Sequence, residues 1–287
     1  MGVIFKARQV SLKRIGLANI GTFLKLSPSP ELKAHMKRSC ALLGILCLTL
    51  TGLAAENQPP LRVFIRASAK THGPGQHDYP RFLEEWKKLL NERGAVADGA
   101  QRFPSSDELA KSDVLILYAA DGTNMTCEER SRLEAFFKRG GGLVVLHDAM
   151  CGTNTTWFAN LAGGAKQHGE MNWKTGPMKF HFVDRAHPIV QGAADFEMDD
   201  EIFFRLRTAP EMHVLATSER TAEETIPQLW VMEQTLPEGR PYRAFVSLQG
   251  HKYSNFEKPE YRRLLLRGIA WAGKRPADSL AGTAAGR

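Results

Sequence analysis

Short apolar runs alternate along this chain with segments of helical periodicity, and this alternation constrains the fold more than any other feature. Residues 61–67 (LRVFIRA), 113–119 (DVLILYA) and 143–147 (LVVLH) are short and bounded by turn-forming residues, as strands are. Because residues 113–119 and 143–147 are apolar almost throughout, rather than at every second position, these two runs predict strands that are buried on both faces. A further strand is expected over residues 95–100.

The segments between these runs predict helices. Pro80 opens a stretch whose apolar residues recur at i, i+4, i+7 and i+8 as far as Gly94. Ser106 is expected to cap a short helix, and Thr126 with Glu129 forms a capping box for a longer one. Strands and helices that alternate with short links give right-handed crossovers. The sequence therefore predicts an α/β fold, with a doubly wound, largely parallel sheet and flanking helices, whose ligands bind beyond the carboxyl ends of the strands.

The second half of the chain is richer in strands than in helices. Residues 178–247 contain several strand-type runs, and a closing helix is predicted over residues 259–271. We expect one folded domain over residues 61–273. The small and polar residues of 274–287 predict a disordered tail.

The N-terminal segment is expected to be absent from the mature protein. Residues 36–55 (MKRSCALLGILCLTLTGLAA) combine a dibasic start, an apolar run of about 14 residues and a small-residue end, which is the pattern of a secretory signal peptide. Because a helix needs about 20 apolar residues to cross a bilayer, a permanent membrane span is not expected. Residues 1–35 are then expected to be an upstream extension that results from a misassigned start of the sequence. These features predict export to the periplasm or the cell exterior.

The charge of the chain changes once this segment is set aside. The full sequence has a formal net charge of +7, from 38 Lys and Arg against 31 Asp and Glu. Eight of the basic residues but only one of the acidic ones lie before residue 56, so each sign contributes 30 to the remainder. A nucleic-acid-binding protein usually carries a basic patch or stripe. We therefore expect no nucleic-acid partner.

The cysteine content excludes a disulfide-rich scaffold. Cys40 and Cys47 belong to the predicted signal peptide, which leaves Cys127 and Cys151. In an oxidising compartment these two could form one bridge, provided that their Cα atoms lie within about 7 Å of each other.

Polar side chains follow the predicted strands at the points where the strands end. Because the carboxyl ends of parallel strands open onto the same edge of a sheet, we expect many of these side chains to converge. Asp199, Asp200 and Glu201 could instead form a solvated charge run, although Glu201 precedes apolar residues and is expected to point inward. The candidate residues are His72, His77 and Asp78 after the first strand, His147, Asp148 and Cys151 after the fourth, and Glu201 and His251 farther along.

Five short motifs occur in order between residues 77 and 251. They are HDYP (77–80), GGGLVVLHDA (140–149), HPI (187–189), DDEIFF (199–204) and GRPYRAFVSLQGH (239–251). With a closing helix that contains Ala270 and Trp271, they resemble the ThuA-like proteins, a family named for trehalose utilisation. The resemblance covers about residues 61–273 and implies a class I glutamine amidotransferase-like fold with an association with sugar metabolism.

The resemblance also shows a departure from amidotransferase chemistry. Amidotransferases place a nucleophilic cysteine at a tight turn after a strand and a catalytic histidine later in the chain. Here His147 occupies the strand end, Cys151 lies four residues farther on, and His251 resembles the later histidine in position. Glutamine hydrolysis is therefore not expected, while a nucleophilic pair of Cys151 and His251 stays open.

Two further chemistries are open for the histidines. His147 or His251 could act as a general acid or base on a sugar hydroxyl or beside a keto group, with a carboxylate orienting the imidazole. Asp148 and Glu201 are the candidate carboxylates. Alternatively, a divalent metal such as zinc could be bound by imidazole and carboxylate ligands. The candidate ligands for that metal are His72, His77, His147, His251 and Glu201.

A small carbohydrate is the expected ligand. Trp173 lies in the polar, glycine-bounded stretch 169–176 and predicts a stacking contact with a sugar ring, and Asp78 is a second candidate contact. We expect an exported ThuA-like enzyme that acts on a carbohydrate or an oxidised (keto) sugar derivative. A non-catalytic carbohydrate-binding or accessory module is the alternative.

Overall fold

The computed structural model describes residues 58–282, and the predicted signal peptide lies outside this range. The strands are β1 (Arg62–Ala67), β2 (Val96–Ala100), β3 (Val114–Tyr118), β4 (Gly142–Leu146), β5 (Cys151–Gly152), β6 (Gly164–Gln167), β7 (Trp173–Phe182), β8 (Phe196–Phe203), β9 (Arg207–Thr208), β10 (His213–Thr221), β11 (Glu224–Gln234) and β12 (Tyr242–Ser247). The helices are α1 (Tyr79–Glu92), α2 (Ser106–Ala110), α3 (Cys127–Lys138), α4 (Thr155–Ala162), α5 (Pro259–Ala272) and α6 (Asp278–Ala281). Two 3-10 turns span His147–Met150 and Tyr253–Glu257.

Nine of these strands form one sheet in the order β2-β1-β3-β4-β12-β11-β10-β7-β8. From β2 to β12 every neighbouring pair is parallel, whereas from β12 to β8 every pair is antiparallel. The strands β5, β6 and β9 form a separate small sheet. The predicted α/β class is confirmed, and its parallel part comprises five of the nine strands of the large sheet. The antiparallel part arises because β10 and β11 are joined by a tight turn after Thr221, which leaves no room for a crossover helix.

Helices cover both faces of the large sheet, so the parallel strands are buried on both sides. Along β3, Val114, Ile116 and Tyr118 pack with side chains of α1 and α5, while Leu115 and Leu117 pack with side chains of α3 and α4. This two-sided burial is the reason that the strand is apolar at consecutive positions.

Local capping signals place the starts of two helices. The Thr126 side chain accepts from the backbone N–H of Glu129 at 3.2 Å, and the Glu129 carboxylate accepts from the Thr126 N–H at 2.8 Å, as predicted. The start predicted for α2 is wrong by one residue. Ser105 rather than Ser106 is the cap, because only Ser105 lies three residues before Glu108 and completes the reciprocal pair of hydrogen bonds.

Three further observations concern the described residues. The predicted disorder from residue 274 is wrong as far as Gly282, because α6 forms there, Leu280 is buried and Asp278 pairs with Arg267 at 2.7 Å. Cys127 and Cys151 are both free, the first exposed and the second buried. Among the described helices, none has the length and apolar character needed to cross a bilayer.

Candidate functional site

His147 directly follows β4 and begins the sharp 3-10 turn His147–Met150. Its φ of 51° lies in the left-handed region, and the turn is fitted closely against Gly250, where an added Cβ would lie 2.9 Å from the His147 Cβ. The imidazole is fully buried and stacks on the Phe203 ring with 5.0 Å between centroids. Its Nδ1 donates to the Leu248 carbonyl over 2.9 Å, so the proton is on Nδ1 and the Nε2 lone pair is free.

His77 lies at the end of the loop after β1, also in the left-handed region with a φ of 43°. Its backbone N–H donates to the His251 carbonyl over 2.9 Å, which joins the two loops. Its Nδ1 lies 2.9 Å from the Thr71 hydroxyl and 3.0 Å from the Tyr79 hydroxyl. Its Nε2 lies 3.0 Å from Nε2 of His147.

His251 follows β12, and Glu201 enters from β8 at the far end of the sheet order. The His251 Nδ1 lies 2.9 Å from Nε2 of His77 and 3.2 Å from Oε1 of Glu201. The other carboxylate oxygen of Glu201 lies 3.6 Å from Nε2 of His147. One ligand atom from each of these four side chains lies within 4.8 Å of the others. We call His77, His147, Glu201 and His251 the histidine-glutamate cluster.

The electrostatics of the cluster favour neutral imidazoles. Burial, reinforced by the neighbouring His251, lowers the pKa of His77 to about 3. Burial also lowers the pKa of His251 to about 4, and it lowers the pKa of His147 well below its usual range. Burial, followed by the nearby Asp200 and Asp148 carboxylates, raises the pKa of Glu201 to about 7. The three rings are therefore in the form that binds metal ions at neutral pH.

The donor set of the cluster fits a divalent transition metal. Four ligands placed about 2.0–2.1 Å from a zinc ion in a tetrahedron lie roughly 3.3 Å from one another. Four ligand-atom separations, two of which involve different oxygens of Glu201, lie between 2.9 and 3.6 Å, and one ligand atom from each of the four side chains lies within 4.8 Å of the others. For His77 to bind through Nε2, its Nδ1 must carry the proton, and the Tyr79 or Thr71 hydroxyl is placed to accept it.

The cluster opens onto a cavity of about 350 Å³. Most of the residues that line it have polar side chains, and Trp173 and Phe203 add two aromatic rings. The residues that line it are His72, Gln76, His77, Asp148, Lys166, His168, Trp173, Thr175, Glu201, Phe203 and His251. This volume lies near the lower end of the range for small-molecule sites and accommodates a small sugar derivative.

Of the site residues predicted from the sequence, some form the cluster, others line the cavity, and Asp78 does neither. His77, His147, His251 and Glu201 come together, while His72 lies in the cavity wall with its ring centroid 4.0 Å from that of His77 and outside the cluster. Trp173 is 49% exposed at the cavity wall. Asp78 precedes α1 and is absent from the cavity wall, which removes the geometric support for a substrate contact.

Asp148 and Cys151 differ from their predicted arrangement. Within the described residues, Asp148 makes no hydrogen bond to a histidine; the Leu248 carbonyl orients His147 instead. The Asp148 carboxyl is buried in the cavity wall, where burial raises its pKa. Burial, with the adjacent Asp148 carboxylate, also raises the pKa of the Cys151 thiol well above its usual range. A buried thiol held in its protonated form is a poor nucleophile, so the Cys151–His251 pair has no support in this geometry.

Two buried charged residues of the site region were not selected from the sequence. Asp200 is fully buried and accepts backbone N–H groups from Gly250 and His251 over 3.0 Å each. Lys166 is 2% exposed and lies in the cavity wall. Asp200 lies in a run of three acidic residues, and the sequence does not show that Asp199 is the solvent-exposed one while Asp200 is buried.

These observations define an α/β protein with a histidine- and carboxylate-rich site at the carboxyl ends of parallel strands. The family model for ThuA, described as trehalose utilisation, matches residues 65–272, which is well over half of the chain. The chain belongs to the ThuA family, as the sequence motifs predicted.

The solved structures that match this chain are distant in sequence. A ThuA-like protein from Bacteroides uniformis is 20% identical, with 75% of this chain and 93% of that chain covered and a TM-score of 0.57. The N-terminal domain of mmIFT52 is 11% identical, with 79% and 100% covered and a TM-score of 0.50. A glutamine amido transferase from Methylobacillus flagellatus is 14% identical, with 61% and 66% covered and a TM-score of 0.38. No curated protein matches the chain.

Proposed function

We propose that this ThuA-family protein is a metal-dependent enzyme that acts on a carbohydrate or an oxidised (keto) sugar derivative. The observation that carries the proposal is the convergence of three neutral imidazoles and one carboxylate, with one ligand atom from each within 4.8 Å of the others, beside a cavity lined mostly by residues with polar side chains. Imidazole nitrogen with carboxylate oxygen is a donor set for zinc and related divalent ions. His77, His147, His251 and Glu201 would hold the ion.

The ion and the surrounding side chains have separate tasks in this proposal. A bound divalent ion supplies Lewis acidity, which polarises a carbonyl oxygen or lowers the pKa of a bound water. Asp148 exchanges protons with the substrate, because it faces the cavity outside the cluster and burial raises its pKa in the direction that a proton donor requires. The Tyr79 hydroxyl lies 3.0 Å from His77 Nδ1 and 3.5 Å from Asp148, and it links the ligand shell to that carboxyl.

A carbohydrate substrate is favoured by the cavity wall and by the family description. Trp173 presents a half-exposed indole of the kind that stacks on sugar rings, and the cavity is otherwise lined largely by hydrogen-bonding groups. The ThuA family is described by trehalose utilisation. Asp148 beside a metal-binding cluster is an arrangement for removing or adding a proton, which favours an enzyme over a binding module.

Elemental analysis tests the metal requirement directly. The protein is purified without chelator or histidine tag and compared with the double variant His147→Ala, His251→Ala. We expect close to one divalent ion per chain in the first and a loss of most of it in the second. Metal at equal stoichiometry in both proteins, or in neither, would contradict the cluster as the metal site.

Turnover separates the enzyme from a non-catalytic carbohydrate-binding module. The metal-loaded protein is incubated with trehalose, other disaccharides and their keto derivatives, and products are followed by mass spectrometry. We expect turnover of at least one compound, which Asp148→Asn reduces by 100-fold or more while sugar affinity is retained. Binding without turnover across the set would support the binding module.

We further propose that the protein is exported after cleavage near Ala54 or Ala55. The dibasic start, apolar run and small residues of 36–55 support this. N-terminal sequencing of the protein recovered from the periplasmic and extracellular fractions tests it. A chain that remains in the cytosol with residues 36–55 attached would contradict export.

A further inference from the structure

Lys166 is a buried cation whose ammonium group has no hydrogen-bonding partner within the described part of the chain. The residue is 2% exposed, and its Nζ lies 4.6 Å from the centroid of the Phe203 ring. No hydrogen bond or ion pair of this side chain exists among residues 58–282, yet the residue lines the same cavity as the histidine-glutamate cluster. Its Nζ is not one of the fully enclosed, unpartnered polar atoms of the described residues, so the ammonium is open to the cavity, where an anionic group can reach it.

The small sheet explains how this lysine reaches the cavity. β5 pairs in parallel with β6, and this register sets Cys151 opposite Lys166. Cys151 follows directly on the turn that carries His147 and Asp148. Lys166 and Asp148 therefore line the same cavity, and Lys166 belongs to a strand rather than a loop.

We propose that Lys166 binds a carboxylate of the substrate, and that the site takes a sugar acid, a polyhydroxylated molecule with one carboxylate. This inference rests on the proposed function and makes its substrate class more specific. The Lys166 ammonium and a divalent ion in the cluster would face the same cavity, and their positive charges would attract an anionic sugar more strongly than a neutral one.

A carboxylate fits this wall better than a phosphate does. Asp148 and Glu201 face the same cavity and would repel a dianionic group more strongly than a monoanionic one. His168, another residue of the cavity wall, already contacts Asp121. A single ammonium with three N–H donors is sufficient for a carboxylate.

Matched sugars that differ only in charge test the proposal. Binding to the metal-loaded protein is measured by calorimetry for D-glucose and D-glucuronate, D-galactose and D-galacturonate, and D-glucitol and D-gluconate. We expect at least one acid to bind tenfold to a hundredfold more tightly than its neutral partner, since a charge-assisted hydrogen bond is made only by the acid. Lys166→Met should remove that preference, whereas Lys179→Met, which removes an exposed lysine of β7, should retain it.

Metal content is measured on every sample, so that the two proposals fail in different ways. Absence of metal from the wild-type protein overturns the proposed function. Metal at full occupancy without preference for any acid overturns only the role of Lys166 and the sugar-acid class. A preference that persists in Lys166→Met but disappears from the metal-stripped protein places the carboxylate on the metal and also overturns the role of Lys166.

Discussion

The Asp200 carboxylate accepts the backbone N–H of His251 over 3.0 Å and thereby fixes the turn from which the His251 imidazole enters the cluster. The same carboxylate accepts the Gly250 N–H over 3.0 Å and the Asn255 side-chain amide over 2.7 Å. Asp200 is fully buried, and burial raises its pKa to about 6 although these donors oppose the shift. Asp200 therefore positions the loop that carries His251 and is not itself a member of the histidine-glutamate cluster.

Replacement of Asp200 by Asn should loosen both the fold and the metal site. One carboxylate oxygen becomes an amide N–H₂ that faces donors, so buried N–H groups lose their acceptor at a cost of about 2 kcal/mol. We expect a lower free energy of unfolding in urea and a metal affinity reduced about tenfold. Asp199→Asn is the matched control, because the Asp199 pair with Lys252 is largely exposed and contributes little. Equal stability of the two variants would contradict the role of Asp200.

The convergence of the three histidines could be predicted because parallel strands that alternate with helices end at a common edge. His77, His147 and His251 each follow a strand of the parallel part, and their positions required no knowledge of side-chain packing. Glu201 was only partly predictable, from the apolar residues after it. It belongs to the antiparallel part, where pairing depends on contacts between distant segments.

Asp200 and Lys166 could not be selected from the sequence for separate physical reasons. Asp200 lies between two other acids, and period-2 alternation alone does not show which of them is buried. Lys166 reaches the cavity through the two-residue pairing of β5 with β6, which is too short to leave a periodic signal. Sequence patterns predict which residues follow long buried strands. They do not predict short strand pairs or hydrogen bonds between side chains and the backbone, which depend on the folded structure.

Tyr79→Phe should weaken metal binding while leaving the fold intact. The Tyr79 hydroxyl lies 3.0 Å from His77 Nδ1, and removal of such an outer partner typically lowers metal affinity tenfold to a hundredfold. Competition with a chromogenic chelator measures the affinity. His72→Ala is the comparison in the same cavity: His72 is exposed and lies outside the cluster, so its removal should change affinity less than twofold. The reverse ranking of the two variants would show that His72, rather than His77, is a ligand.

Trp173→Ala should reduce carbohydrate affinity without reducing metal content. The indole is 49% exposed at the cavity wall, so its loss removes stacking area and little of the core. We expect affinity to fall about fivefold, in line with about 1 kcal/mol for an aromatic contact. Met171→Ala, at a neighbouring residue that is 87% exposed and absent from the cavity wall, should bind as the wild type does. Loss of metal from the Trp173 variant would indicate a structural disturbance instead of a lost stacking contact.

Gly142→Ala should destabilise the protein, because Gly142, the first residue of β4, packs closely against Ala272, the last residue of α5. A Cβ at Gly142 would lie 2.2 Å from the Ala272 carbonyl oxygen, and backbone on both sides of the contact prevents relief by side-chain rotation. Overpacking of this kind typically costs about 1–3 kcal/mol. Thermal unfolding measures the loss. Gly73→Ala is the control, since its added Cβ meets only the Gln76 side chain at 3.7 Å and should leave the midpoint unchanged.

Iodoacetamide should distinguish the two cysteines of the described chain. Cys127 is exposed at the start of α3, whereas Cys151 is fully buried and burial raises the pKa of its thiol. Peptide mass mapping of the native protein should find Cys127 carbamidomethylated and Cys151 unmodified, with modification of Cys151 only after unfolding in guanidinium. The unfolded sample controls for the intrinsic reactivity of each peptide. Modification of Cys151 in the native protein as fast as that of Cys127 would show an accessible thiolate and return the nucleophilic pair with His251 to consideration. Protection of Cys151 would leave the reaction to the metal-binding cluster and Asp148.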